Sequence, residues 1–173
     1  MELLIKRAKK KNAEAFIELM EKNKLSMYKV SKAMLNNNED IADAIQETIL
    51  ACYKNIDKLK HTKYFKTWMT RILINKCNDI IKLQKNSISG MSLIEESYIE
   101  NIEEAMTVKE CFESLGSEYK LVMKLYYEEG FNSREISEIL NINESTIKTR
   151  LSRGRMHFKN LYLKNSEGDY VNE

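Results

Sequence analysis

The sequence predicts an all-α protein: two small helical domains joined by a flexible linker, the second containing a helix-turn-helix. Three observations carry that prediction. The chain has no proline and only five glycines in 173 residues, so the usual punctuation of turns and active-site loops is scarce and helices with short connections are favoured. Apolar residues recur at three- and four-residue spacing through most of the chain, which is the helical period. Alternating Val, Ile and Thr, the mark of a half-buried strand, form no run of useful length. At 43% hydrophobic and 31% charged residues, the chain can bury cores and remain a soluble globular protein.

The elements follow in order. A first helix spans roughly residues 12–34, with Ala13, Phe16, Ile17, Met20, Met27, Val30 and Met34 as its stripe and an interruption expected near Asn23–Ser26. Asn36, Asn37 and Asn38 break it. Asn38 is the expected N-cap of a second helix whose Glu39 and Asp40 suit a positive helix end. Ile41, Ala44, Ile45, Thr48, Ile49, Cys52 and Tyr53 form its stripe, leaving Asp40, Asp43, Gln46 and Glu47 on a polar, largely acidic face. Residues 57–63 read as a basic loop. A third helix over 64–83 carries Phe65, Trp68, Met69, Ile72, Leu73, Cys77, Ile80 and Ile81. Residues 84–104 lack a sustained stripe. The expected organisation is therefore a domain over 1–86, a linker over 87–101, a domain over 102–165 with helices near 102–114, 117–128, 133–140 and 144–164, and a polar tail over 166–173.

Several function classes are disfavoured. No apolar run reaches 18 residues, so no segment inserts in a membrane. The basic start, Met1–Lys11, is followed by no secretory apolar region, and a cytoplasmic protein is expected. Cys52, Cys77 and Cys111 have neither metal-ligand nor disulfide spacing and read as small core residues. His61 and His157 are the only histidines. With no ligand cluster around them and no glycine-rich phosphate loop, neither an enzyme nor a metal or cofactor site is expected.

Charge is arranged in blocks. Residues 54–85 hold nine Lys or Arg against two Asp, 95–129 ten Glu against three Lys, and 144–164 six basic residues against Glu144. Two polyanion-facing surfaces separated by an acidic stretch are the reading. That stretch is also placed to lie against a basic surface and restrain DNA binding in the free chain.

The sharpest local pattern is a helix-turn-helix over 133–155. Ser133 is the expected cap of a helix containing Ile136, Ser137, Ile139 and Leu140, with small Ser137 suited to close helix crossing. Asn141 sits at the turn, one of few residues that tolerates a left-handed backbone. Asn143 or Ser145 caps the next helix, whose Ile147, Leu151, Gly154 and Phe158 share an inward face. Ser145, Thr146, Lys148, Thr149, Ser152 and Met156 then face outward or border that side, with Arg150, Arg153 and Arg155 on its flanks. Short hydrogen-bonding side chains towards bases and long cations towards phosphates suit an element entering a major groove.

In the first domain, Lys and Arg between 54 and 85 interleave with Tyr53, His61, Tyr64, Phe65 and Trp68, a composition that suits single-stranded nucleic acid. Core packing has the stronger claim on Phe65 and Trp68. Tyr64 and His61 are the better candidates for stacking on bases.

Taken together, the chain resembles a bacterial sigma factor of the sigma-70 family, extracytoplasmic-function group. The first motif runs Asn38-Glu39-Asp40-Ile41-Ala42-Asp43-Ala44-Ile45-Gln46-Glu47-Thr48-Ile49, then Tyr64-Phe65-Lys66-Thr67-Trp68-Met69-Thr70-Arg71-Ile72, then Asn75 and Asp79. The second passes from Leu115 through Tyr119, Tyr127, Gly130 and Phe131 to Glu135–Leu140, Ser145–Leu151 and Arg153-Gly154-Arg155. The resemblance covers residues 12–163. It implies that Asp40, Asp43, Gln46 and Glu47 meet the clamp helices of core RNA polymerase. It implies that the loop 57–63 with Tyr64 captures a flipped base of the non-template strand in the promoter −10 element. Lys58, Lys60, His61, Lys63, Tyr64, Lys66, Arg71, Asn75 and Lys76 are the implied −10 and melting set. Ser145, Thr146, Lys148, Thr149, Arg150, Ser152, Arg153 and Arg155 are the implied −35 set, on a module seated on the polymerase flap. The sequence ends soon after the helix-turn-helix, so regulation by a separate anti-sigma protein is expected. Gly116 stands where the family usually has proline, and Asn141 where glycine is common. The competing reading is a conventional helix-turn-helix regulator with a dimerising or sensing first domain; it predicts stable dimers and a palindromic site.

Overall fold

The computed structural model describes residues 1–88 and 107–166, and every regular element among them is helical. Most of the expected linker and polar tail, and the start of the helix expected from 102, lie outside the described residues.

The first unit begins with a helix that the sequence reading did not place, α1 (Glu2–Lys9), which buries Leu4, Ile5 and Ala8. Lys11 takes a positive φ of 63° and turns the chain into α2 (Ala13–Lys32), whose N-cap Asn12 accepts from Ala15 N–H at 2.8 Å. The expected interruption at Asn23–Ser26 is absent. Asn23 is buried and its side-chain amide donates to the Leu19 carbonyl at 2.7 Å, so a polar residue that looked like a break is satisfied within the helix. Helix α3 (Asn38–Asn55) is capped one residue earlier than expected, by Asn37, which accepts from Glu39 N–H. Two short 3₁₀ turns, Ile56–Lys58 and Thr62–Tyr64, occupy the expected loop. Helix α4 (Phe65–Ile88) follows and continues past the expected 83; with no Pro or Gly between 65 and 88, nothing in the sequence stops it.

Helices α2, α3 and α4 enclose one core. Leu19, Met27, Val30, Ala44, Cys52, Ile56, Met69 and Cys77 are fully buried, each large aliphatic side chain contributing about 1.5–3 kcal/mol. Thr48 is also buried, and its hydroxyl donates to the Ala44 carbonyl at 2.7 Å. Burial pushes the thiol of Cys52 up to about 12 and that of Cys77 to about 11, the latter despite a contact with Ser31 Oγ. Along with buried Cys111, these are packing residues, as the sequence implied.

The second unit comprises α5 (Val108–Glu113), α6 (Ser117–Met123), a π-helical turn (Lys124–Glu128), α7 (Ser133–Leu140) and α8 (Glu144–Ser166). A reciprocal capping box between Thr107 and Glu110 starts α5. Gly116 precedes α6 with φ −54°, inside the range that proline would fix. Gly154 has a different role: a Cβ there would lie 2.7 Å from Met123 Sδ, so glycine lets α8 approach α6 closely. Leu115, Val122, Leu125, Phe131, Ile136, Ile139, Ile147 and Leu151 form this unit's part of the core.

The two units pack together, principally α4 against α7. Met34, Ile74, Leu121, Ile139, Leu140 and Ile142 meet around a small cavity between them. Beside it lies a polar clasp. Glu129, its side chain only 6% exposed, pairs with Lys66 at 3.1 Å and accepts from Ser26 Oγ, while Lys66 Nζ also donates to the Glu129 carbonyl. Glu128 lies 3.7 Å from Lys29. Part of the acidic block does lie against a basic surface, at Lys29 and Lys66.

Candidate nucleic-acid interface

The helix-turn-helix is built from local chemistry. Asn132 caps α7, one residue before the expected Ser133, and forms a capping box with Glu135. Ser133, freed from capping, donates to Glu144 at 3.1 Å and ties the start of α7 to the start of α8. Asn141 ends α7 in the left-handed region, φ 54° and ψ 47°. Ser137 does more than allow close approach: its hydroxyl donates to the Ile142 carbonyl at 2.6 Å, while Ile142 N–H returns to the Ser137 carbonyl. The turn is therefore bolted from both directions.

On α8, Ile147, Leu151 and Gly154 are buried and Phe158 is half-buried, so the inward face is the expected one. Ser145, Thr146, Lys148, Thr149, Ser152, Arg153 and Met156 are exposed on the remainder. Thr149 donates to the Ser145 carbonyl at 2.9 Å. Lys148 pairs with Glu144 at 2.8 Å, and that hydrogen bond, with the one from Ser133, holds the Glu144 carboxyl below its ordinary range. Two flanking arginines are already engaged. Arg155 donates to the Tyr127 hydroxyl at 2.7 Å and lies over the rings of Tyr126 and Tyr127. Arg150 is half-buried, paired with Glu118 at 2.9 Å, and borders the cavity between the units together with Asn75 and Asn78. Arg150 thus faces the first unit, away from the outward set.

The second basic surface lies on the 56–64 turns and α4. Lys58, Lys60, His61, Lys63 and Tyr64 are exposed. His61 and Tyr64 meet edge to face with centroids 6.0 Å apart, and Lys63 Nζ lies 4.7 Å from the Tyr64 ring centre. Lys58 donates to Asn55 Oδ1 at 2.8 Å. Phe65 is buried and Trp68 is packed against the core, so packing accounts for both rings. Farther along α4, Arg71 and Asn75 are exposed, Lys76 pairs with Glu47 at 3.3 Å, and Lys66 is held by Glu129 and lies over the Phe131 ring.

A third surface belongs to α3. Asp43, Gln46 and Glu47 are exposed, and Asp40 is half-buried and accepts from Gln84 Nε2 at 2.7 Å. Sequence reasoning missed what adjoins them: an apolar groove of about 890 Å³ between α2 and α3, lined by Leu25, Tyr28, Ile41, Ala42, Ile45 and Ile49 among others. The available signal was Leu25, an apolar residue that falls off the stripe of α2. Among the described residues, no group of three or more His, Cys, Asp or Glu is placed to hold a metal, and no helix is long and apolar enough to cross a membrane.

Comparison with known proteins agrees with this geometry. Residues 19–86 match the family model described as Sigma-70 region 2, and residues 105–158 that described as Sigma-70, region 4. The chain is 30% identical over 169 residues to the ECF RNA polymerase sigma factor SigW of Bacillus subtilis (strain 168), covering 87% of this chain and 90% of that one. It is 25% identical over 138 residues to the RNA polymerase sigma factor SigV of the same organism, covering 76% and 81%. Among solved structures it is similar in fold to the sigma factor RpoE bound to the anti-sigma factor NepR from Bartonella quintana, with a TM-score of 0.67, 19% identity and 90% and 99% coverage of the two chains. CnrH in complex with the cytosolic domain of CnrY gives a TM-score of 0.65 at 18% identity, with 92% and 95% coverage.

Proposed function

This chain belongs to the extracytoplasmic-function group of the sigma-70 family, and we propose that its two helical units divide the work of a promoter-specificity subunit of RNA polymerase. As a sigma factor it directs polymerase to promoters through its region 2-like and region 4-like parts, and it carries out its work in the cytoplasm without covalent chemistry of its own.

The finer assignments are ours. The outward face of α8 enters the major groove of the −35 element, with Lys148, Thr149 and Ser152 towards base edges and Arg153 towards phosphate. The 58–64 segment captures an unstacked −10 base of the non-template strand against exposed Tyr64, a contact worth about 1–3 kcal/mol. Arg71, Asn75, Lys66 and Lys76 follow the adjoining strand or duplex edge. The α3 face at Asp43, Gln46 and Glu47 receives the polymerase clamp helices, and the apolar α2–α3 groove beside it supplies the buried area that a charged face alone does not. The second unit sits on the flap. An anti-sigma protein acts by covering one or more of these surfaces.

The observation that carries this reading is the recognition helix: a buried Ile147–Leu151–Gly154 face backed by an exposed, polar and basic one. The test is reconstitution of the purified chain with core RNA polymerase and transcription of a genomic promoter library. Initiation from a discrete promoter set sharing −10 and −35 elements is the expected result. Sequence-specific binding by a stable dimer, with no effect on initiation, would instead favour the conventional regulator.

A further inference from the structure

We infer that the cleft between α1 and the Thr62–Tyr64 turn is a phosphate site for single-stranded DNA, extending the strand-capture surface to a helix outside the matched region 2. The inference rests on the reading above that the 58–64 segment faces the non-template strand.

The cleft is a fixed feature of the fold. Leu4, Ile5 and Ala8 anchor α1 in the core, Lys9 Nζ donates to the Leu59 carbonyl, and Lys11 Nζ donates to the Tyr53 carbonyl at 3.3 Å. These bonds hold α1 alongside the turns; they engage Lys9, one of the cations that line the opening, and leave Arg7, Lys10 and Lys60 unengaged by them. The cleft, about 820 Å³, is lined by Lys6, Arg7, Lys10, Lys60, His61 and Lys63, with Glu2 as its single carboxylate. Glu2 is taken by Lys6 at 2.8 Å. Among the described residues, Arg7, Lys10 and Lys60 have no carboxylate within ion-pair distance. That contrasts with the neighbouring helix α2, where exposed Lys22 and Lys24 pair with Glu18 and Glu21. Like charges converging from two separate segments repel one another, and an anion between them relieves that repulsion.

The occupant is specified by what borders the cleft. His61 lines it and contacts the ring of exposed Tyr64, so a cationic track runs directly beside an aromatic pair. Cations for the backbone next to rings for the bases is the arrangement that binds a single strand with little sequence preference. Matched region 2 begins at residue 19, so this wall of the site lies before the matched segment.

The test uses holoenzyme made with the full chain and a fluorescent fork-junction promoter carrying a single-stranded non-template −10 segment. Individual phosphates of that strand are replaced by uncharged methylphosphonates. Wild-type holoenzyme should lose roughly fourfold affinity per contacted phosphate near 0.15 M salt, at one or two adjacent linkages. In the Arg7→Gln/Lys10→Gln variant, whose altered side chains are both exposed, those same linkages should carry no penalty. Its affinity should also fall less between 50 and 200 mM salt, by about sevenfold for two lost contacts. Arg7→Lys/Lys10→Arg, which keeps both charges, should restore the penalty, and thermal melting should show the variants folded.

A variant that keeps the wild-type methylphosphonate pattern would overturn the inference, as would an equal loss on fully duplex −35 DNA. So would displacement of the strand from the wild type, but not from the variant, by inorganic pyrophosphate alone at the strand's own concentration, which would mark a small-anion site. If wild-type holoenzyme failed to prefer the fork over blunt duplex, the strand-capture reading itself would fail and this site with it.

Discussion

The two basic surfaces of this chain differ in what already occupies them. On α8, the outward side chains are open to solvent, and Lys148 pairs only along its own helix, with Glu144. On α4, Lys66 is clasped by Glu129 of the second unit, Lys76 pairs with Glu47 of α3, and Asn75 borders the cavity against α7. The lesson concerns order of events. In the proposed function, duplex reading by α8 needs little rearrangement, whereas the α4 surface is shared with the protein's own second unit and must be released before it can follow DNA. Length makes the same point. The −10 and −35 elements lie roughly 25 base pairs apart, about 85 Å at 3.4 Å per pair, and a compact chain of this size has a radius of gyration of about 16 Å. The closed arrangement is too small for the proposed reading of both.

The largest effect is expected on the open surface. Lys148→Ala or Thr149→Ala should change which −35 bases are preferred, by about 1–3 kcal/mol at the affected pair. Arg153→Ala should instead weaken all sequences alike and lower the salt slope by about 0.9. Affinities of holoenzyme for promoter variants at two salt concentrations measure both; unchanged preference in all three variants would remove base reading from this helix.

The next effect concerns the clasp. Glu129→Gln removes a carboxylate that is 6% exposed and paired with Lys66, costing the closed form about 1–3 kcal/mol. The free chain should then bind −10 single strand several-fold more tightly, with −35 duplex affinity unchanged. Fluorescence anisotropy with the two probes checks this, and equal gains on both would point to net charge alone.

A smaller effect is expected at Gly116, whose φ of −54° suits proline. Gly116→Pro should stabilise the second unit by about 0.4–1 kcal/mol, read as a rise in its denaturation midpoint. A fall would mean that the backbone before α6 needs glycine after all.

Smallest near neutrality is the contribution of the thiols. Their folded values, about 12 for Cys52 and about 11 for Cys77, lie above the ordinary value of 9.0. The neutral form is therefore favoured by folding. Its stabilisation is fully present below pH 9 and is lost as pH rises towards 11–12. At pH 8 neither thiol should react with a maleimide in the folded chain, as mass spectrometry will show.

Much of this was legible in the sequence where a local rule decides the outcome. Asn141 could be placed at the turn because few residues accept a positive φ, and the inward face of α8 followed from four- and three-residue spacing. Caps slipped by one position, to Asn37 and Asn132, because neighbouring Asn and Ser residues compete equally for that role. Helix α1 escaped notice because its apolar content, Leu4, Ile5 and Ala8, is a single turn among basic residues. The pairing of Glu129 with Lys66 spans 63 residues, and only the fold brings such partners together. The charge blocks foretold an acidic segment against a basic one but not which carboxylate would be buried. Arg150 shows the same limit: its spacing placed it on the flank of the recognition helix, and only tertiary packing turns it towards Glu118 and α4.

In the proposed function one chain reads two promoter elements by opening from this closed form on polymerase. The distance between the units is the quantity that reports such opening. Fluorophores can be placed at Lys54→Cys on α3 and Asn160→Cys on α8, both exposed positions, since the three native cysteines are buried. Energy transfer measured in the free chain, in holoenzyme and on promoter DNA should fall sharply on addition of core polymerase, corresponding to a separation increased by tens of ångströms. Transfer that stayed at its free-chain value in a transcriptionally active promoter complex would contradict the claim.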